Sequence, residues 1–132
     1  MKTNVNVEFV IWGDFFDLNT ISRELAIKPT EQWVKGTPVP NRPVTRDDTS
    51  WIYELGVESS YDINNQLSKM VNILSPKVDV LLYLKKLFNI NYLLVVTVKV
   101  NNDIYPALSI KLPIIQLMNT IESGIDIDMY VY

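Results

Sequence analysis

Cysteine and histidine are both missing from the 132 residues. The first absence removes disulfides, thiolate metal ligands and cysteine nucleophiles, and it fits a reducing compartment. The second removes the commonest general base near neutral pH and the commonest transition-metal ligand. Catalytic triads and zinc sites are thereby excluded, and no cofactor and no metal is expected. Glycine is scarce at four residues, and the chain contains neither a phosphate-cradling glycine loop nor a Gly-x-Ser-x-Gly elbow, so Ser22, Thr49 and Ser50 have no route to activation. No apolar run approaches the roughly 20 residues that span a bilayer, and Met1 to Asn6 lacks the basic-then-apolar layout of a signal peptide. A cytoplasmic protein without a membrane partner is expected. Excess positive charge is missing too. Twelve basic against fifteen acidic residues leave −3, and the deficit lies before Asp62, where nine acids meet six bases. A nucleic-acid partner is not expected, because phosphate-backbone binding needs a basic patch.

What is present is enough apolar material for one packed body. Hydrophobic residues make up 48% and charged residues 20%, a balance that rules out intrinsic disorder, and the length suits a single domain over residues 1–132. Val5, Val7, Phe9 and Ile11 alternate with Asn4, Asn6, Glu8 and Val10, the period of a strand with one buried face, which Gly13-Asp14 ends. Leu18, Ile21 and Leu25 space a short helix capped by Asp17 or Asn19, and Pro29 forces its exit. Trp51, Tyr53, Leu55 and Val57 form a second strand. Ile63, Leu67, Met70, Val71 and Leu74 form one face of a second helix, capped by Ser60 or Asp62. Ser75-Pro76 ends that helix and starts a third, with Val78, Leu81, Leu82, Leu84 and Phe88 on its apolar side.

Tyr92 to Val100 is apolar on both faces and reads as a central strand. Asn101-Asn102-Asp103 then reads as a hairpin turn into a fourth strand, Tyr105 to Lys111, which Pro106 assigns to an edge. A last helix opens at Pro113, carries Ile114, Leu117, Met118 and Ile121, and closes at Gly124. The final strand alternates Ile125, Ile127, Met129 and Val131 with Asp126, Asp128, Tyr130 and Tyr132. The expected fold class is α/β (α+β), a two-layer sandwich of about five strands in a mixed or antiparallel sheet with helices packed on one face. One long irregular loop covers about residues 28–50, with four prolines between Pro29 and Pro43.

The ordered series Gly13-Asp14, Phe16-Asp17, Ile21, Leu25, Ile27 to Thr30, Lys35-Gly36, Thr49 to Trp51 and Ile125 to Tyr130 resembles the bacterial domain of unknown function family 4279. The resemblance spans nearly the whole chain. It implies a small stand-alone bacterial protein and brings no catalytic motif with it. Some small bacterial domains of this size are immunity proteins against contact-delivered toxins, and the acidic chain is compatible with that role by analogy.

Two regions are candidate sites. Loops this long inside a compact domain are more often functional, or disordered, than mere connectors. Trp33, Lys35, Arg42, Arg46 and Trp51 are therefore the candidate partner-binding residues, the cations suiting an anionic or protein partner. The bland reading is a charged surface loop anchored by its tryptophans, with Trp12, Trp33 and Trp51 gathered at one edge. If Arg42 and Arg46 are surface groups that bind a partner, replacing both by alanine is expected to weaken partner binding while changing stability by no more than about 0.5 kcal/mol. Asp14, Asp126 and Asp128 are the candidate ligand or cation face. Asp126 and Asp128 lie about 7 Å apart on one strand face, and solvation or cross-strand pairing with Lys99 and Lys111 is their bland reading. The expected function is a non-enzymatic interaction protein with a protein partner, its most specific form an immunity protein that neutralises a bacterial toxin. The alternative is a small-ligand-binding or carboxylate-dependent enzyme domain using Asp14, Asp126, Asp128 and the loop arginines.

Overall fold

A computed structural model describes residues 2–132. Six strands and four helices follow in the order β1 (Asn4–Gly13), α1 (Leu18–Leu25), β2 (Glu31–Trp33), β3 (Thr49–Glu54), β4 (Glu58–Ser59), α2 (Ile63–Leu74), α3 (Val78–Leu87), β5 (Ile90–Val100), α4 (Leu112–Ile121) and β6 (Ser123–Val131), with a 3₁₀ turn at Ser75–Lys77 joining α2 to α3. The sheet runs β2-β3-β1-β5-β6, and the short β4 pairs with the start of β1. All pairings are antiparallel except β5 with β6, which is parallel. The α/β class, the mixed sheet and the single helix layer agree with expectation.

Alternation in β1 and β5 sets the two layers. Val5, Val7, Phe9 and Ile11 are fully buried, as are Leu94, Val96, Val98 and Val100. They join the inward stripes of all four helices, Ile21 and Leu25, Ile63 to Leu74, Leu81 and Leu84, and Ile114 to Ile121, in one core. Caps fix where helices begin: the Asp17 carboxylate accepts from the Asn19 N–H at 3.1 Å and the Asp62 carboxylate from the Asn64 N–H at 2.9 Å. Gly13 is needed at the end of β1, because a Cβ there would lie 2.8 Å from the Asn89 carbonyl oxygen. At the end of α4 it is Glu122, with φ of 57°, that takes the left-handed cap position expected of Gly124, which already belongs to β6.

The expected strand Tyr105 to Lys111 does not form. The turn is of the expected kind, with Asn102 and Asp103 both at positive φ, and it is pinned by the Asn101 N–H donating to the Thr3 hydroxyl at 3.2 Å. Beyond a single bridge from Asn101 to Ile104, however, no ladder follows. Both edges of β5 are already occupied, by β1 and β6, so the returning chain finds no free strand. It crosses instead to α2, where the Ala107 N–H donates to the Tyr61 carbonyl at 2.7 Å and Ile63 N–H to the Ala107 carbonyl at 3.1 Å. The expected irregular loop at 28–50 is more regular than its prolines suggest. It contains β2 and an arm folded on itself through Gly36 N–H to Arg46 O, Arg46 N–H to Thr37 O and Val39 N–H to Val44 O, with a bridge between Pro38 and Thr45.

Adjacent residues of β5 therefore differ sharply in role. Leu94→Ala, on the helix side, is expected to destabilise by about 2–5 kcal/mol, and Leu93→Ala, on the other face, by less than about 1 kcal/mol. Urea denaturation of both variants checks this, and similar losses would mean that both sheet faces are covered.

Candidate functional site

Strand register places a defined set of side chains on the face away from the helices. Glu8 lies opposite Glu54 and Val95, Val10 opposite Ile52 and Leu93, and Trp12 opposite Ser50 and Asn91. The rows extend outward to Trp33 and Glu31 on β2, and to Asp126, Asp128 and Tyr130 on β6. The strands bring Glu8, Glu31, Glu54, Asp126 and Asp128 onto this face against one cation, Lys99. Burial pushes the Glu8 carboxyl above its ordinary range first, and the neighbouring carboxylates of Glu54, Glu31 and Asp128 push it further.

The indole of Trp12 is 40% exposed at the centre of one end of this face. It borders two depressions. One, of about 370 Å³, has an apolar floor of Val10, Leu93 and Val95 with Asp48 and Ser50 at its side. The other, of about 280 Å³, is polar, lined by Asp14, Asp47, Asp48, Asn89 and Asn91. Asp48 is held in place between them, accepting from the Ser50 hydroxyl at 2.8 Å and from the Trp33 indole N–H at 3.3 Å. Ser50 is buried and spends its proton on Asp48, so it offers no exposed nucleophile.

The candidate loop residues separate. Trp51 is fully buried on the helix side, its indole N–H donating to the Ser22 hydroxyl at 3.0 Å, so it serves the core and reaches no partner. The adjacent Ser50 faces the other way, opposite Trp12 and Trp33, so of the three tryptophans only those two share a face. Lys35 is held by Asp14, with Nζ 3.0 Å from Oδ1, and its backbone N–H donates to Thr49 Oγ1 at 3.0 Å. The Arg46 guanidinium stacks 3.9 Å from the centre of the Trp33 ring. Arg42 alone stands exposed, at the tip of the arm beside a depression of about 620 Å³ lined by Pro38, Pro43, Val44, Thr45 and Asp47. Two of the three loop cations are thus engaged inside the fold.

The carboxylate trio separates as well. Asp126 shares a row with Glu8, whereas Asp14 lies just past the end of β1, six residues on from Glu8 and about 20 Å away at strand spacing. No group of three or more acidic residues among the described residues is arranged to hold a metal ion. Lys111 is in no strand, and Lys99 lies opposite Tyr130, so the expected cross-strand pairs with Asp126 and Asp128 are replaced by a face on which neither appears in an ion pair. A further depression, about 730 Å³ between α1 and β2, contains none of the candidate residues. Trp12 was the residue missed: its even position in β1, in phase with Glu8 and Asn6, was the signal that placed it on the open face.

These features define an α/β two-layer sandwich whose helices cover one sheet face and whose other face is acidic. The chain belongs to the family described as Domain of unknown function (DUF4279), whose model matches residues 2–132. No curated protein and no solved structure matched the chain. No helix among the described residues is long and apolar enough to cross a membrane.

Two measurements check this site. A carboxyl held above its ordinary pKa by the fold costs stability once ionised; the cost is absent below the unfolded-state pKa and grows as pH rises through the folded-state one. Glu8→Gln is therefore expected to raise the melting temperature near pH 7 and to leave it almost unchanged near pH 3. Loss of stability at neutral pH would mean that Glu8 makes a favourable contact instead. The two arginines should also part company: Arg42→Ala is expected to be neutral within about 0.5 kcal/mol, whereas Arg46→Ala costs about 0.5–1 kcal/mol through its lost stacking on Trp33. Equal effects in thermal melts would contradict the stacked arrangement.

Proposed function

We propose that the chain is a non-enzymatic interaction protein that takes a protein partner with a basic surface on the open face of its sheet. The observation that carries this reading is the exposed Trp12 indole between an apolar floor and a rim of carboxylates, on a face where five acids meet one lysine. Tryptophan is enriched among the residues that dominate binding energy at protein interfaces. A field of one sign steers the oppositely charged partner and selects against others. A cation arriving beside Glu8 would offset the repulsion among these carboxylates, which adds to burial in pushing the Glu8 carboxyl up. No histidine, cysteine or exposed serine–base pair competes for a catalytic reading.

An immunity protein against a bacterial toxin is the most specific form of this proposal. A toxin that cleaves nucleic acid carries a basic surface for phosphates, and an acidic face with a central aromatic is suited to cover it. The protein would act in the cytoplasm, where such a toxin meets its substrate. The loop cations become supports in this reading: Lys35 and Arg46 brace the rim through Asp14 and Trp33.

The test is partner identification by co-purification followed by calorimetric titration with Trp12→Ala and with Asp126→Asn/Asp128→Asn. Trp12→Ala is expected to weaken binding by about 30-fold or more, the loss of a hot-spot aromatic, with little change in melting temperature. The double asparagine variant should weaken binding less and reduce its dependence on salt. A partner whose affinity ignores both changes would overturn the proposal.

A further inference from the structure

We infer that β6 pairs with β6 of a second copy, antiparallel about a twofold axis at Met129, joining two sheets into one. This inference is independent of the partner proposed above.

The edge itself calls for a cover. β6 is nine residues long and keeps unbroken register with β5 from Ser123 opposite Tyr92 to Val131 opposite Val100, so no bulge turns it away. It contains no proline, lysine or arginine, the usual guards of an exposed edge. The other edge strand, β2, has only three residues. The Tyr132 N–H donates inward to the Val100 carbonyl at 3.0 Å. Peptide groups alternate in direction along a strand, so those of Ile125, Ile127, Met129 and Val131 point outward from the sheet. The same four residues face the helix layer, yet Ile127, Met129 and Val131 are 36%, 37% and 55% exposed. α4, the helix against β6, leaves Leu112 and Ile115 exposed as well.

Charge selects the occupant and the register. A second β6 centred on Met129 places Ile127 opposite Val131 of the other copy, and Met129 opposite itself, all through outward-facing peptide groups. On the open face it places Asp128 opposite Tyr130 and Asp126 opposite Tyr132. Centring on Asp128 would set that carboxylate against itself, and centring on Ile127 would set Asp126 against Asp128 twice, both penalised arrangements. The strand therefore matches its own copy with apolar on apolar, acid on tyrosine and no acid on acid. A twofold axis normal to the sheet also keeps both helix layers on one side.

Sedimentation equilibrium of the intact chain, with thermal melts as a folding control, tests the inference. The expected result is twice the chain mass, with Met129→Arg raising the dimer dissociation constant by at least about tenfold through like charges at the axis. Tyr130→Asp, which faces Asp128 of the other copy, should weaken the dimer similarly and serves if the arginine variant does not fold. Since the chain has no cysteine, Met129→Cys should form an intermolecular disulfide on mild oxidation, because hydrogen-bonded antiparallel partners lie about 5.5 Å apart at Cα. Ile127→Cys should cross-link far less. A monomer at all accessible concentrations would overturn the inference. So would a dimer unaffected by both charge variants, or one that cross-links through Ile127→Cys in preference.

Discussion

Everything in this fold depends on the antiparallel ladder between β1 and β5, ten residue pairs from Asn4 with Lys99 to Gly13 with Ile90. Because both strands alternate, one ladder settles which side is wet and which is dry. The dry side, from Val5 and Phe9 to Leu94 and Val98, requires a cover, and four amphipathic helices supply it. Phe9 packs on Tyr92 with ring centres 5.4 Å apart, and the Tyr92 hydroxyl donates to the Leu81 carbonyl at 2.6 Å, tying the ladder to α3. A one-residue slip of this register would turn Glu8 and Lys99 into the core, which is why the ladder tolerates no ambiguity.

The same ladder creates the open face on which we propose that a partner docks. Strands that bury one face must present the other, and here the exposed set is rich in carboxylates, with Trp12 at one end. Burial first, and then the neighbouring carboxylates, raise the pKa of the Glu8 carboxyl on this face. The arm between β2 and β3 closes one end of the face, with Trp33, Asp48 and Ser50 linked by hydrogen bonds and Arg46 stacked behind. Lys35, Arg46 and Asp48 brace this proline-rich arm, while Arg42 at its tip stays exposed.

Much of this was legible in the residues. Alternation in β1 and β6 and the stripes of the four helices pointed to the layers, because burial against a single face imposes those periods directly, whereas Tyr92 to Val100 reads as apolar on both faces and shows its polar side only in the fold. Asp17 and Asp62 announced two helix starts, since a short acid before an apolar stripe satisfies free N–H groups. What stayed hidden depended on neighbours far along the chain. Tyr105 to Lys111 looks like a strand locally and fails because β1 and β6 have taken both sides of β5. Lys35 and Arg46 look free until Asp14 and Trp33 are brought beside them. Trp51 and Trp12 are alike in composition terms, and only their phase within β3 and β1 separates a core residue from a surface one. The acidic face itself required strand order, since its carboxylates come from four strands.

Those three indoles also provide the most direct test of the central claim, that the open face is the binding surface. Each gives its own side-chain N–H signal in a proton–nitrogen correlation spectrum of the labelled chain, and each reports a different place: Trp12 on the open face, Trp33 at its rim, Trp51 in the core. Titrating the co-purified partner into that sample should shift or broaden the Trp12 signal at the lowest additions and leave that of Trp51 in place. A Trp12 signal that keeps its free position at saturation would contradict the account.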